Sequence, residues 1–395
     1  MDFTFLKQEL DLIVAEGSAP GVDCSVYKEH EEVFRYSTGF NDIENKIEIT
    51  RDELYIIFSM TKMLTCTCAL QLFEKGAFNM DDPLSKYMPE FSKMRISAED
   101  FDVLSGNAVA TGKSQGEIID SRADGYAKNP ITIRHLFSMS AGLDYDLKAD
   151  GILKSIDEGK TSTGEIVRAL SETVLGFEPG TRYRYSLCHD VLGALIEIWS
   201  GMSFGEYMRE NLLEPLGMKD TFFGVPKDKE RLSRLALLYV KNGPGVYQKI
   251  QQKCSFNFTD EYQSGGAGLI SSTNDYALFL DALANDGVGK SGKRILSKSS
   301  VELMRSNQLN YKALEDFEAS RKGYGYGFGV RTHLDPKRSG GLSPRGEMGW
   351  GGAAGAYSLV DPQNKLSLTY FQHMHGWELS LETRLRDALY KSIKA

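Results

Sequence analysis

A chain of 395 residues with 46 Lys and Arg against 54 Asp and Glu carries a net charge of −8, which argues against a nucleic-acid binder, since that needs a basic face to neutralise phosphates. Hydrophobic residues at 41% and charged residues at 25% are those of a globular protein, long enough to bury a large core and to form two or three domains at about 100–200 residues each. The five cysteines, Cys24, Cys66, Cys68, Cys188 and Cys254, contain no C-x-x-C pair and read as free buried thiols of a reducing compartment.

The N-terminal MDFTFLKQELDLIVAEG is interrupted by Asp2, Glu9 and Asp11, so it reads as an amphipathic helix rather than a signal peptide. With no run of 18 apolar residues, no membrane insertion is expected, and the location is expected to be cytoplasmic. Gly21–Tyr27 and Glu32–Ser37 are β-prone around a short polar turn, the signature of an antiparallel hairpin. Lys62–Lys75 has helical apolar spacing and stops at Gly76. Helices are expected at Asp190–Trp199 and at Phe204–Leu216 before Gly217, and Ser105–Asn129 is a polar, loop-like tract. After Gly265-Gly266 the spacing predicts a helix near Asn274–Ala284, then strands at Tyr324–Thr332, Ala356–Val360 and Leu366–Phe371, and a closing helix at Glu378–Ile393. The simplest assembly is an α/β fold of the α+β type. One antiparallel sheet is built from both ends of the chain (1–76 plus 265–395) and flanked by helices, with 77–264 inserted as a mostly helical domain and a cleft between the two.

Three patterns could carry chemistry. Ser59-Met60-Thr61-Lys62 is an S-x-x-K at the start of an apolar helix, which puts a hydroxyl and an amine on one face. The helix dipole there favours an oxyanion. Alone the pattern is weak, because about one or two matches arise by chance in a chain of this composition, and an N-cap serine explains it as well. Tyr185-Ser186-Leu187 places a phenol at a helix entry, although a half-buried tyrosine is the commoner fate. Gly349-Trp350-Gly351-Gly352-Ala353-Ala354-Gly355 allows a backbone to approach a ligand or the central helix closely, or else forms a bulge. A fourth pattern, Gly201-Met202-Ser203-Phe204-Gly205, fits the G-x-S-x-G elbow but lacks the strand that must enter it. Ser203 with Glu206 reads instead as a capping box. The six histidines form no metal-ligand spacing, so no metal or cofactor is expected.

In this order, and with Asp82-Pro83-Leu84, Ser140-Ala141-Gly142-Leu143, Glu178-Pro179-Gly180-Thr181, Pro215-Leu216-Gly217-Met218 and Gly265-Gly266-Ala267-Gly268 between them, the three patterns resemble the class C β-lactamase, penicillin-binding-protein and family VIII carboxylesterase family. The resemblance spans about residues 20–375. It implies a β-lactamase/transpeptidase-like fold, Ser59 as nucleophile, Lys62 and Tyr185 as its proton-handling partners, and the backbone N–H groups of Ser59 and Ala353 as the oxyanion hole. Either a neutral Lys62 or an anionic Tyr185 held by Lys62 would serve as base, and the sequence does not choose between them.

Two departures point to a branch. Lactam-active members carry Tyr-x-Asn where Leu187 stands here, and a Lys- or His-Thr-Gly where Trp350-Gly351-Gly352 stands. Trp-Gly-Gly is similar to the esterase branch and to a related acyltransferase branch. An indole offers an apolar wall and one N–H donor but no charge for a substrate carboxylate. Tyr183, Tyr324 and Phe328 are candidate aromatic lining, and Arg345 is a candidate replacement charge or a solvated loop arginine. The expected activity is hydrolysis of a small-molecule carboxylic ester through an acyl-enzyme. The alternatives are acyl transfer, a β-lactamase or D-amino-acid peptidase, and an inactive acyl-binding homologue.

Overall fold

The computed structural model describes residues 1–97, 123–376 and 378–394. Helix α1 (Thr4–Ala15) buries Leu6, Leu10 and Ile13, the stripe expected of an amphipathic helix. The hairpin follows as β1 (Gly21–Lys28) and β2 (Glu31–Asp42). Its turn residues Glu29 and His30 both have positive φ, 50° and 71°, the handedness that matches strand twist. That backbone is held by Asp281, which accepts from the His30 backbone N–H at 3.1 Å and meets the ring Nδ1 at 2.7 Å.

The main sheet has nine strands. Beyond the hairpin it contains β3 (Ile47–Glu48), β4 (Tyr324–Tyr326), β5 (Arg331–His333), β6 (Met348–Gly349), β7 (Gly351–Gly352), β8 (Ala356–Asp361) and β9 (Leu366–Phe371). Their order is β4-β5-β6-β8-β9-β1-β2-β3, with β7 paired to β8. The two chain ends meet where β1 pairs antiparallel with β9, Cys24 opposite Tyr370. Alternation sorts β1 between two layers. Val22, Cys24 and Val26 join Leu6, Leu10, Leu381 and Leu385 in one core under α1 and the closing helix. Asp23 instead meets the opposite helix (Thr273–Ala284), accepting from Thr273 Oγ1 at 2.6 Å.

Helix α2 (Thr61–Glu74) is buried from Thr61 to Leu72, so it is a core helix rather than an amphipathic one. The short strand Leu54–Ile56 leads into it through a 3₁₀ turn (Phe58–Met60) and pairs antiparallel with Leu269–Ser272. Helix α3 (Cys188–Ser200) packs against α2 and ends at Gly201, in the left-handed conformation. All five thiols are buried and unpaired. Among the described residues no helix is long and apolar enough to cross a membrane.

Three expectations change. Tyr324–Thr332 is not one strand. The chain turns between β4 and β5, where Gly327 N–H bonds Val330 O at 2.8 Å and Gly329 takes a φ of +75°. In the middle region, Leu238–Gly243 and Val246–Ile250 form a hairpin where helices were expected. The tract Ser105–Asn129 lies outside the described residues up to Arg122. Its end, Ala123–Tyr126, is a strand pairing with Arg95–Ser97. The closing helix (Leu379–Lys394), the helix Thr273–Ala284 and the capping box of Ser203 with Glu206 form as expected.

Candidate active site

Ser59 stands in the 3₁₀ turn between a β-strand and the N-terminus of α2. The residue before it, Phe58, is a non-glycine residue at φ +43°, a backbone region that costs energy and is found where surroundings over-determine it. Its ring is fixed edge-on by His375, with centroids 5.3 Å apart. One turn on, the fully buried Lys62 points its amine back at the serine. Nζ donates to Gly266 O at 2.7 Å, to Tyr145 OH at 3.2 Å and to Ser59 Oγ at 3.4 Å. Three acceptors match the three donors of an ammonium group.

Two phenol rings cover that amine. Nζ lies 4.5 Å from the centre of the Tyr185 ring and 5.3 Å from that of Tyr145, both within cation–π range. The two rings stack on each other at 5.3 Å. Tyr145 comes from the loop after Ser140–Leu143. Burial, the neighbouring Tyr185 and Asp190 push its phenol well above the ordinary tyrosine range, against a hydrogen bond with Ser59. Tyr145 is therefore a neutral phenol. Tyr185 OH instead accepts from Trp350 Nε1 at 3.2 Å, and the indole stacks on the phenol ring at 5.6 Å.

The opposite wall is the Trp350-Gly351-Gly352-Ala353 stretch. A methyl group on Gly352 would collide with the carbonyl oxygen of Ile57, so the wall meets the turn that holds Ser59 backbone against backbone. Ala353 follows, exposed in the opening, and its carbonyl accepts from His375 Nδ1 at 3.2 Å. Trp350 itself is clamped. Ser358 Oγ accepts from its backbone N–H at 3.0 Å, Tyr326 packs edge-on at 5.2 Å, and Arg321 lies 5.4 Å from the indole while paired with Glu382 at 2.6 Å. The sequence predicts the indole N–H only as a donor. It is engaged by Tyr185, because stacking puts the nitrogen beside the phenol oxygen.

Of the candidate residues, Ser59, Lys62, Tyr185, Trp350, Gly351, Gly352 and Ala353 come together. Tyr183 lies one layer behind, edge-on to Phe317 at 5.1 Å and tilted against Tyr326 at 5.3 Å. Leu187 is buried at the start of α3, its N–H bonded to Asp144 O at 3.0 Å. Three others turn away. Tyr324 stacks on His333 at 4.5 Å, beyond the turn that interrupts its strand. Phe328 is fully buried against Phe137 at 4.6 Å, and Arg345 is exposed on the loop before β6.

Sequence reasoning missed Tyr145, one of 19 tyrosines. Its only local sign is Gly142 just before it, at φ +87°, where a methyl group would lie 2.6 Å from Phe177 O.

The family model described as Beta-lactamase matches residues 6–390. Protein Rv1367c of Mycobacterium tuberculosis is 30% identical over 345 residues, 85% of this chain and 81% of that protein. Esterase EstB of Burkholderia gladioli is 27% identical, over 99% of this chain and 96% of its own length. Among solved structures, EstCE1, described as a hydrolase with promiscuous acyltransferase activity, shares the fold with a TM-score of 0.78 at 24% identity, over 98% of this chain and 97% of that one.

Proposed function

The chain belongs to the Beta-lactamase family, and within that family of serine hydrolases we propose that it cleaves small neutral carboxylic esters through an acyl-enzyme on Ser59. One observation carries the reading: Lys62 donates to Ser59 while lying on the ring of Tyr185, whose oxygen takes the Trp350 N–H. Tyr185 takes the Trp350 N–H on its oxygen and the Lys62 amine on its ring, while burial keeps Tyr145 neutral, so Tyr185 is assigned as the base.

Ser59 Oγ attacks the ester carbonyl carbon while its proton passes to the Tyr185 oxygen. The carbonyl oxygen becomes the tetrahedral oxyanion, bound by the N–H groups of Ser59 and Ala353. Collapse breaks the bond to the alcohol, which leaves with the proton from Tyr185. Water then repeats the sequence on the acyl-Ser59 carbonyl, releasing the acid and restoring the serine. Acyl transfer is the same chemistry with an alcohol in place of that water.

Substrate preference follows from charge. Trp350 supplies no cation for a substrate carboxylate, and Arg321 behind it is neutralised by Glu382. Short and medium acyl esters are therefore favoured over penicillins and peptides. EstB, named an esterase, supports this reading. In the same reading the cleft lies between the α/β part (1–76 plus 265–395) and the insert (77–264), and the buried free thiols support a reducing, cytoplasmic setting.

The test compares kcat/KM for p-nitrophenyl butyrate with that for a chromogenic cephalosporin, alongside intact-mass detection of the adduct. The ester is expected to win, with the adduct on Ser59. A cephalosporin ahead by tenfold or more would replace the esterase with a β-lactamase.

A further inference from the structure

Near Lys62, across Gly266, lies a second buried group that the steps above do not use. Asp190, in the first turn of α3, is almost fully buried. Its Oδ1 accepts from Ser264 Oγ at 2.6 Å and from Tyr262 OH at 2.9 Å. Its Oδ2 is buried with no side-chain partner, and the Gly266 backbone helps hold the carboxyl down. That oxygen faces Gly266, whose carbonyl receives the shortest hydrogen bond from Lys62. A methyl group on Gly266 would lie 2.6 Å from Asp190 Oδ2 and 3.3 Å from Lys62 Nζ. The carboxylate and the ammonium therefore flank one side-chain-free residue, at most about 6 Å apart, the range in which an opposite charge shifts a titration.

We propose that Asp190 is the buried counter-ion of Lys62, a positioning residue that keeps the amine charged so that Tyr185, rather than Lys62, takes the proton of Ser59. The proposal rests on the acyl-enzyme reading for its catalytic consequence, but not for the pairing itself.

Apart from Tyr185, the titratable groups around the pair carry no charge at neutral pH. Burial, with help from the Lys62 charge, pushes His189 down to about 3. Burial likewise pushes the thiols of Cys66, Cys188 and Cys254 upward, so they stay protonated. Tyr145 and Tyr262 are raised by burial and further by Asp190. For Asp190, burial raises the carboxyl, opposed by Ser264, Lys62 and Tyr262 in that order. An isolated carboxylate in this place would take up a proton instead. The Ser264 hydrogen bond, the Lys62 amine and the Tyr262 hydrogen bond together make the charge tolerable.

Two measurements test the pairing. In the pH profile of kcat/KM for p-nitrophenyl butyrate, Asp190→Asn removes a negative charge. That weakens the ammonium and relieves the phenolate, so both limbs should move toward acid by about one pH unit. Tyr262→Phe keeps the carboxylate and should leave both limbs in place. Unmoved limbs in Asp190→Asn, or an equal shift in Tyr262→Phe, would overturn the proposal.

The second measurement needs no turnover. Lys62→Met strands the carboxylate and should lower Tm, and adding Asp190→Asn should recover part of the loss. A double variant no more stable than the less stable single variant would overturn the pairing. Should Ser59 form no adduct with any ester while the double variant recovers stability, the ion pair stands and only the esterase reading falls.

Discussion

Two of the serines that open helices in this chain, Ser59 and Ser203, have surroundings that differ in every respect that matters for reactivity. Ser203 is exposed and uses its hydroxyl locally. Oγ accepts from the Glu206 N–H at 3.4 Å and donates to the Glu206 carboxylate at 2.7 Å, closing a capping box. Ser59 sits beside a strained Phe58, and its hydroxyl faces Lys62 one helical turn on and Tyr145 from across the fold. The turn that holds Ser59 and the start of α2 both go without a side-chain cap. A hydroxyl that satisfies its own helix is not available for chemistry. A nucleophile has to be withheld from that role and given partners beyond its own cap.

The comparison can be broken at four places. The largest effect belongs to Ser59→Ala, which should lower kcat/KM for an activated ester by about 10⁵-fold or more and abolish the mass adduct. An adduct that persists elsewhere would remove Ser59 from the chemistry. Tyr185→Phe should cost about 10²–10⁴-fold in the rate of acylation at pH 7, read by stopped-flow release of p-nitrophenol. A near-normal burst would shift the role of base to Lys62 or Tyr145. Trp350→Phe keeps the stacked ring and removes the N–H to Tyr185. The loss should be about tenfold, the worth of one hydrogen bond to a charged oxygen, and it should appear in kcat rather than KM. A KM effect alone would return the indole to substrate binding. Smallest of all, Ser203→Ala should destabilise the fold by about 1 kcal/mol in urea unfolding while leaving kcat/KM unchanged.

What the sequence disclosed follows the range of the forces involved. The hairpin, α2, α3 and the helix Thr273–Ala284 are written in local periodicity and caps, and they form close to where expected. Ser59 and Lys62 were legible because one helical turn joins them, and Tyr185 and Trp350 because each stands in a recognisable motif. Tyr145 was not legible, since its contact with Lys62 spans 83 residues and leaves no spacing to count. Asp190 was hidden for a different reason. It occupies a normal first-turn position for an acidic residue, where the helix dipole alone would justify it. The Tyr324–Thr332 segment was misread because its aromatics alternate as a strand does, whereas Gly329 folds back near Cys66 and the carbonyl of Lys62. Packing against a distant helix overrode the local pattern.

The glycines around the reactive corner have a practical meaning for redesign. At Gly352 and Gly266 the space a side chain would need is already filled, by the carbonyl of Ile57 in one case and by the Asp190 carboxylate in the other. The wall nearest Ser59 is thus made of main chain, and a mutational library aimed there would sample mostly misfolded variants. Any retuning toward bulkier acyl groups has to enter from the rings that stand off the serine, such as Phe256 against Tyr145 or Phe317 behind Trp350. Selectivity in this enzyme is adjustable from the rim inward, and the innermost layer sets a fixed limit on how far that can go.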